Sequence, residues 1–125
     1  MGSILEEILD RELNLLVLAG EIPAYTREYR FAAELVGPGK GLRQRLLVAG
    51  LRDWRFDFAF LESKIALEVN GGTWVSGRHN RGSAMQAEYE KLNTAVLLGW
   101  RVLLFTTDTV QDGTAVSNVL KIYDK

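Results

Sequence analysis

The sequence predicts a single small α/β domain over residues 1–125, with a mixed sheet flanked by helices. Its length lies close to the commonest size of a protein domain. Hydrophobic residues make up 47% of the chain and charged residues 25%, which is the balance of a globular protein and not of a disordered one. Stretches with helical periodicity alternate with stretches of strand periodicity, and this alternation favours the α/β class.

Composition and charge narrow the range of functions. The chain has no cysteine and one histidine, which excludes disulfides, thiol nucleophiles and zinc sites that need two histidines. The chain has no run of about eighteen apolar residues, so we expect no membrane span. Its first residues are acidic where a signal peptide would be basic, so we expect a cytoplasmic protein without a signal peptide. The net charge is −1, yet residues 27–55 carry seven basic and three acidic side chains, which is compatible with a polyanionic partner.

The N-terminal part of the chain predicts a helix, a strand and a shorter helix. Residues 3–19 repeat apolar residues at helical spacing, and Ser3 is suited to the N-cap. Residues 24–31 alternate as a strand does. The glycine-rich segment 37–41 indicates a loop, and residues 42–51 favour a short helix over a strand.

Residues 54–71 predict an antiparallel hairpin. In both WRFDFAF and KIALEVN, large apolar residues alternate with polar or small ones. A turn at Glu62 and Ser63 would make each large apolar residue of one strand face an apolar residue of the other. These pairs are Phe60 with Ile65, Phe58 with Leu67, and Phe56 with Val69. The same register places Asp57 directly opposite Glu68.

The C-terminal part predicts a loop, two helices and a strand. Residues 72–82 indicate the loop, and a helix follows over residues 83–98. Its spacing predicts an inward face made of Met85, Tyr89, Leu92, Val96 and Leu97. The nearly continuous apolar run 101–106 predicts a central strand, and a last helix extends through Tyr123.

Two carboxylates that face each other on a sheet need a cation between them. The Cβ atoms of such a pair lie about 4.5–5.5 Å apart, and like charges at that spacing are destabilising. A hard divalent cation such as Mg²⁺ or Mn²⁺ would bind Asp57 and Glu68, and the Val69 carbonyl would add a further oxygen ligand. In the alternative, Arg55 and Lys91 neutralise the pair without a metal. The residues alone leave both interpretations open.

The pattern around these carboxylates resembles a known nuclease motif. Asp57, ten further residues and then Glu68-Val69-Asn70 is similar to the motif of the PD-(D/E)XK superfamily, whose core has the order α-β-β-β-α-β. The segments EVNGGTWVSGRH and AEYEKLNTAVLLGWRVLLF resemble a phage-type branch related to very short patch repair endonucleases. The resemblance covers about residues 5–107. It implies a PD-(D/E)XK core and Mg²⁺- or Mn²⁺-dependent hydrolysis of DNA phosphodiester bonds.

The resemblance also implies roles for individual residues. Asp57, Glu68 and the Val69 carbonyl would hold the metal. Asn70 stands where the motif has lysine, so the cation would come from Lys91, with Glu88 one turn earlier as its support. Asn70 itself would hold a metal-bound water through its amide oxygen.

Two more roles follow from the same resemblance. Glu6 or Glu7 would reach a metal-bound water from the first helix, and the sequence does not decide between them. His79 would act as an acid for the leaving oxygen or would contact a phosphate. Taken without the resemblance, the two glutamates are solvated helix charges and the histidine is a surface residue.

Basic residues flank the expected cleft and suit contacts with DNA phosphates. They are Lys40, Arg43, Arg45, Arg78 and Arg81. Trp74 could stack on an unpaired base or could anchor its loop. The helix at 42–51 would lie along a groove of the DNA or would be an amphipathic flap, packed by Leu42, Leu46 and Leu47.

The sequence therefore predicts a small Mg²⁺-dependent endodeoxyribonuclease. The resemblance implies phage-type recombination, repair, packaging or junction processing, and junction resolution would require a homodimer to make two symmetric cuts. The alternative is a weak or inactive PD-(D/E)XK-fold protein that binds nucleic acid or serves in assembly, because Asn70 cannot supply a carboxylate charge.

Overall fold

The computed structural model describes residues 3–69 and 81–124, and the side chains of residues 81–84 lie outside that description. These residues form a small α/β domain with a four-stranded mixed sheet, as the sequence predicts. The helices are α1 (Ile4–Leu18), α2 (Ala33–Val36), α3 (Leu42–Val48), α4 (Arg81–Leu97), α5 (Thr107–Gln111) and α6 (Thr114–Tyr123). The strands are β1 (Thr26–Tyr29), β2 (Phe56–Phe60), β3 (Ile65–Val69) and β4 (Arg101–Phe105).

The strands follow one another in the order β1-β2-β3-β4 across the sheet. The first three are antiparallel neighbours, whereas β4 runs parallel to β3. A parallel neighbour requires a crossover connection, and α4 lies in that connection. The predicted hairpin register is confirmed where Phe60 pairs with Ile65 and Phe58 with Leu67.

One face of the sheet packs on α1, α5 and α6. The cluster joins Phe58, Phe60, Ile65 and Leu67 from the hairpin to residues of these helices: Leu9, Leu13, Val110, Ala115 and Val119. The predicted cap of α1 is confirmed, because the Ser3 hydroxyl accepts a hydrogen bond from the Glu6 backbone N–H at 3.1 Å. The burial of Leu9 and Leu13 then sets which side of α1 faces the sheet.

The other face carries an aromatic cluster. Phe31, Phe56 and Trp100 pack there with Ala95 of α4, above the small side chains of Ala59 and Ala66. The Phe31 and Phe56 rings are stacked with centroids 4.0 Å apart. A third, smaller cluster joins α2 and α3 through Ala32, Ala33, Leu42 and Leu46.

Two sequence-based expectations about packing are wrong. The strand β4 is the last strand in the sheet order and not a central one, and Leu104 is half-exposed. On α4, Tyr89, Val96 and Leu97 are between 52% and 87% exposed, whereas Ala95 is fully buried. The small alanine lets α4 approach the sheet closely, so the inward side of the helix also carries Lys91. Of the predicted inward residues, Met85 and Leu92 are partly buried, whereas Tyr89, Val96 and Leu97 are exposed.

None of the helices within residues 3–69 and 81–124 is both long and apolar enough to cross a membrane.

Candidate functional site

The site begins at a break in the side-to-side alternation of β1 and β2. Arg27 and Phe58 are paired across the two strands and lie on the α1 face. Two residues further on, Tyr29 and Phe56 are also paired, but both pack in the aromatic cluster of the opposite face. Glu28 lies at the break with a φ of 53°, in the left-handed region that only a few per cent of non-glycine residues adopt.

This break corrects the predicted pair of Phe56 and Val69. Phe56 belongs to the aromatic cluster, whereas Val69 packs against the α1-side core. A strict period of two would place Asp57 on the face opposite α1. Because the alternation fails next to it, Asp57 instead lies beside Glu6, a residue of α1.

Three carboxylates converge at the break. Oxygen atoms of Glu6, Glu28 and Asp57 lie within 4.8 Å of one another, and we call this group the acidic cluster. Glu6 is the α1 glutamate that joins this group, whereas the Glu7 side chain is 60% exposed. One oxygen of Glu6, Oε1, is buried and has no hydrogen-bond partner among the described residues. The arrangement concentrates negative charge that the described hydrogen bonds satisfy only in part.

The Asp57 and Glu68 carboxylates each accept a hydrogen bond from a backbone N–H of the neighbouring strand. The Asp57 N–H donates to Glu68 Oε2 at 3.0 Å, and the Val69 N–H donates to Asp57 Oδ2 at 2.7 Å. Glu68 itself lies outside the acidic cluster, and its Oε1 accepts a hydrogen bond from the Lys91 ammonium on α4. The side chains of Lys91 and Glu68 are both largely buried. The two carboxylates that the register predicted to be opposed are therefore held in fixed positions, and Glu68 has its own cation.

In the alternative interpretation Arg55 and Lys91 neutralise this pair, and the structure contains one of these two contacts. Lys91 pairs with Glu68, as that interpretation expects. Arg55 instead lies 3.6 Å from Asp53. In the described parts of the chain the Asp57 side chain forms no hydrogen bond or ion pair with a cation, whereas Glu6 of the same cluster is paired with Arg27.

Burial and neighbouring negative charges raise the pKa values of Glu6, Asp57 and Glu68. Burial raises the pKa of Glu68 to about 7 against the opposing effect of Lys91. Burial also raises the pKa of Asp57, and the negative charge of Glu28 adds to the rise. The pKa of Glu6 is raised by burial and then by the charges of Asp57 and Glu28. Each shift shows that the fold disfavours further negative charge at this place.

The pKa of Glu68 predicts a dependence of stability on pH. Because the folded-state pKa lies above the usual value of 4.5, the folded protein binds the proton more tightly than the unfolded chain does. We expect the metal-free protein to lose roughly 2–4 kcal/mol of unfolding free energy as the pH rises from about 4.5 through about 7. Urea unfolding in EDTA at a series of pH values measures this. The substitution Glu68→Gln should flatten the profile, and an unchanged slope in that variant would contradict the assignment.

Arg27, on β1, is the cation that pairs with Glu6 of the acidic cluster. Its guanidinium lies 3.2 Å from Asp10, 3.5 Å from Glu6 and 3.9 Å from Glu7, and it stacks over the Phe58 ring at 4.7 Å. It therefore ties the acidic side of α1 to the sheet and positions Glu6 beside Asp57.

We expect Arg27→Met to lower the unfolding free energy of the metal-free protein by about 1–3 kcal/mol, because partly buried carboxylates lose their counter-charge. Added Mn²⁺ should recover part of the loss, which thermal melts with and without the ion would show. The exposed Arg11 of α1 offers a matched control, and an equal loss in Arg11→Met would overturn the role given to Arg27.

The remaining predicted site residues have different placements. Glu88 lies on α4 one turn before Lys91, and its Oε2 is buried without a hydrogen-bond partner in the described structure. Lys40 and Arg43 are exposed, on the loop before α3 and on α3 itself. The predicted residues Asn70, Trp74, Arg78 and His79 lie outside the described residues, as does the side chain of Arg81.

Arg45 is engaged within the protein and is not exposed toward a ligand. Its Nη1 donates to the carbonyls of Val36 and Gly37, both at 2.6 Å, and its Nη2 donates to that of Lys40 at 2.9 Å. These bonds use the donors that a phosphate would need. We therefore give Arg45 the role of holding the glycine-rich loop and remove it from the set of expected DNA contacts.

Sequence reasoning missed two residues of the site, Glu28 and Arg27. In the sequence they contribute only to the charge of residues 27–55. A glutamate in the left-handed region has no sequence signal, and the clamp formed by Arg27 depends on how α1 crosses the sheet.

The donor set suits a hard divalent cation. All the converging groups are carboxylate oxygens, which are the ligands that Mg²⁺ and Mn²⁺ favour. Glu6 Oε1 is buried and accepts no hydrogen bond among the described residues, and its only described cation is Arg27 at 3.5 Å. A bound cation would relieve this and the raised pKa values of Glu6 and Asp57. Glu6, Glu28 and Asp57 could hold such an ion, with Glu68 held next to them.

Comparison of the chain with protein-family models, with curated proteins and with solved structures found no match.

Proposed function

We propose that this chain is a Mg²⁺- or Mn²⁺-dependent endonuclease with a PD-(D/E)XK core that hydrolyses phosphodiester bonds in DNA. The observation that carries the proposal is the meeting of Asp57 and Glu68 on adjacent antiparallel strands with Lys91 from the following helix. Apart from α2 and α3, which lie between β1 and β2, the order α1-β1-β2-β3-α4-β4 agrees with the core that the sequence resemblance implies. Glu6 at the same place supports the proposal, because the resemblance implies a carboxylate from the first helix.

The chain's own residues have separable tasks in this proposal. Asp57, Glu6 and Glu28 would hold the metal. The sequence resemblance implies that Glu68, the Val69 carbonyl and the Asn70 amide oxygen add to this set. When bound, the metal would supply Lewis-acid stabilisation of the phosphate charge and would lower the pKa of a water molecule. The Lys91 ammonium holds the Glu68 carboxylate in place and is a donor for a phosphate oxygen or the attacking water.

The basic residues and the histidine complete the proposed machinery. Lys40 and Arg43 are exposed and would contact phosphates along the backbone, which positions the DNA without reading its sequence. Arg78, Arg81 and His79 remain proposed phosphate contacts, and His79 is also a proposed acid for the leaving oxygen. Glu88 would orient Lys91 from the preceding turn of α4, and Trp74 would stack on a base.

Replacement of Asp57 by asparagine tests the proposal directly. The variant should lose more than about 100-fold in the nicking rate, because even residues behind the metal ligands cost about 10–100-fold when they are changed. The assay measures nicking of supercoiled and branched DNA with Mg²⁺, Mn²⁺ or EDTA. The exposed Asp108 of α5 provides the control Asp108→Asn, which should cut at the wild-type rate.

The outcomes separate the proposed enzyme from its alternatives. Metal-dependent nicking that is lost only in Asp57→Asn supports the proposal, and nicking that persists in both variants contradicts it. The ion pair of Lys91 with Glu68 favours one alternative, a protein that binds nucleic acid without cutting, since it already satisfies Glu68 without a metal. DNA binding at low salt without any nicking would support that alternative. A protein that neither binds nor cuts DNA would leave a role in assembly.

A further inference from the structure

A groove lies between β1 and the segment that joins α2 to α3. Its volume is about 490 Å³, within the range of sites that bind small organic groups. It is lined by residues from both sides: Glu28, Tyr29 and Arg30 on the strand side, and Ala33, Pro38 and Leu42 on the other. The lining is thus partly apolar, and it shares one residue, Glu28, with the acidic cluster.

The wall opposite β1 is rigid. The Arg45 guanidinium donates hydrogen bonds to several carbonyls of the glycine-rich loop, including those of Val36 and Gly37. The buried side chains of Leu42 and Leu46 anchor α3 beneath that loop. A wall held in this way loses little entropy when a ligand enters, so the groove is preformed.

The charges around the groove select the kind of ligand. Arg30 is engaged by Asp53 through two hydrogen bonds of 3.0 and 2.6 Å. Glu34 accepts hydrogen bonds from Tyr29 at 2.7 Å and from Lys64 at 3.2 Å. Because its cation is already paired, the groove does not suit a phosphate. An uncharged group with a flat apolar face fits it better.

We propose that this groove holds the unpaired nucleoside adjacent to the phosphate that is cleaved. This inference rests on the proposed function, since it places the phosphate at the acidic cluster. A strand whose phosphate lies beside Glu28 has its neighbouring base and sugar within reach of the groove. The exposed Lys40 and Arg43 are sequence neighbours of the lining residues Gly39 and Leu42 and would contact the following phosphates. The protein therefore selects a DNA strand that is single-stranded or distorted next to the cut.

Binding without cleavage tests the groove separately from the chemistry. The full chain carrying Asp57→Asn is titrated in Mg²⁺ with a short single-stranded oligodeoxynucleotide, followed by amide NMR and fluorescence anisotropy. We expect the resonances of Ala33, Gly39 and Leu42 to shift. An oligonucleotide with one abasic residue at the bound position should bind about tenfold more weakly, which corresponds to the loss of one base contact.

Two variants should fill the groove from opposite sides. Thr26→Trp acts from β1 and Pro38→Trp from the loop, so a failure of one of them to fold leaves the other as a test. Both should weaken binding of the intact oligonucleotide about tenfold and should abolish the penalty for the missing base. The control is Gln44→Trp, an exposed position on α3 outside the groove, which should bind as the parent does.

The results show whether the groove proposal fails, the proposed nuclease function fails, or both fail. Equal binding of the intact and abasic oligonucleotides, or shifts confined to residues outside the groove, would overturn the groove proposal. If the wild type then still nicks DNA with Mg²⁺, the proposed nuclease stands without this subsite. Groove binding that depends on the base, together with no cleavage in any metal, would support the groove and contradict the nuclease.

Discussion

For the proposed nuclease, replacement of Lys91 by methionine is expected to lower the rate of DNA cleavage by about 10²–10³-fold. The Lys91 ammonium is bound to Glu68 Oε1 in a buried ion pair, and methionine keeps most of the side-chain volume while it removes the charge. A hydrogen-bond donor that stabilises the developing negative charge of the transition state in a site without water contributes about that factor to the rate. The nicking rate at saturating Mg²⁺, with the variant and the wild type side by side, measures the loss.

The same substitution should also destabilise the protein in a pH-dependent way. Removing one partner of a buried ion pair costs about 3–5 kcal/mol when the other partner must stay charged. Without Lys91 the pKa of Glu68 should rise further, because the ammonium is the main group that lowers it. Glu68 then escapes the penalty at low pH by taking up a proton. We therefore expect a small stability loss at pH 5 and the full loss near pH 8 in EDTA.

The substitution Lys121→Met is the matched control, since Lys121 is an exposed lysine on α6. It should leave both cleavage and the pH dependence unchanged. A Lys91→Met protein that cuts at the wild-type rate would remove this residue from the proposed machinery. A loss of stability that is equal at pH 5 and pH 8 would instead show that the effect comes from packing and not from charge.

At pH 5, Phe31→Ala is expected to cause the largest loss of stability among these single substitutions. Phe31 is fully buried, and its ring stacks on Phe56 at 4.0 Å and on Trp54 at 6.2 Å. Truncation of a buried phenylalanine costs about 3–5 kcal/mol through lost burial and the cavity left behind. Urea unfolding at pH 5, where Glu68 is protonated and adds no charge penalty, isolates the packing contribution.

The aromatic cluster also supports the acidic cluster. Phe56 immediately precedes Asp57. Its packing on Phe31 holds the Phe56 side chain on the face opposite α1, at the point where the alternation breaks. We therefore expect Phe31→Ala to weaken Mn²⁺ binding as well. Leu35→Ala serves as the control, because Leu35 is half-exposed on α2 and its truncation should change stability by less than about 0.5 kcal/mol. Unchanged Mn²⁺ affinity in Phe31→Ala would contradict the coupling.

The sequence by itself determined the elements whose signals are local. The helix that begins after Ser3 and the helix that ends at Leu97 follow from short-range periodicity and capping. The hairpin register also follows from local pattern, because a shift by one residue would expose every large apolar side chain. That register predicts Asp57 opposite Glu68. The two residues are in hydrogen-bond contact, but the break in the alternation places the Asp57 side chain beside Glu6.

Only the tertiary structure decided which faces and edges these elements use. An apolar run predicts a strand but does not say whether the strand has one neighbour or two, so the expectation of a central β4 is wrong. On α4 the buried stripe is set by the close approach that Ala95 permits, and this brings Lys91 inward in place of Tyr89. Glu28 joins the acidic cluster through a backbone conformation that no pattern predicts. Periodicity reports the repeat of an element, whereas the side that is buried depends on partners distant in the chain.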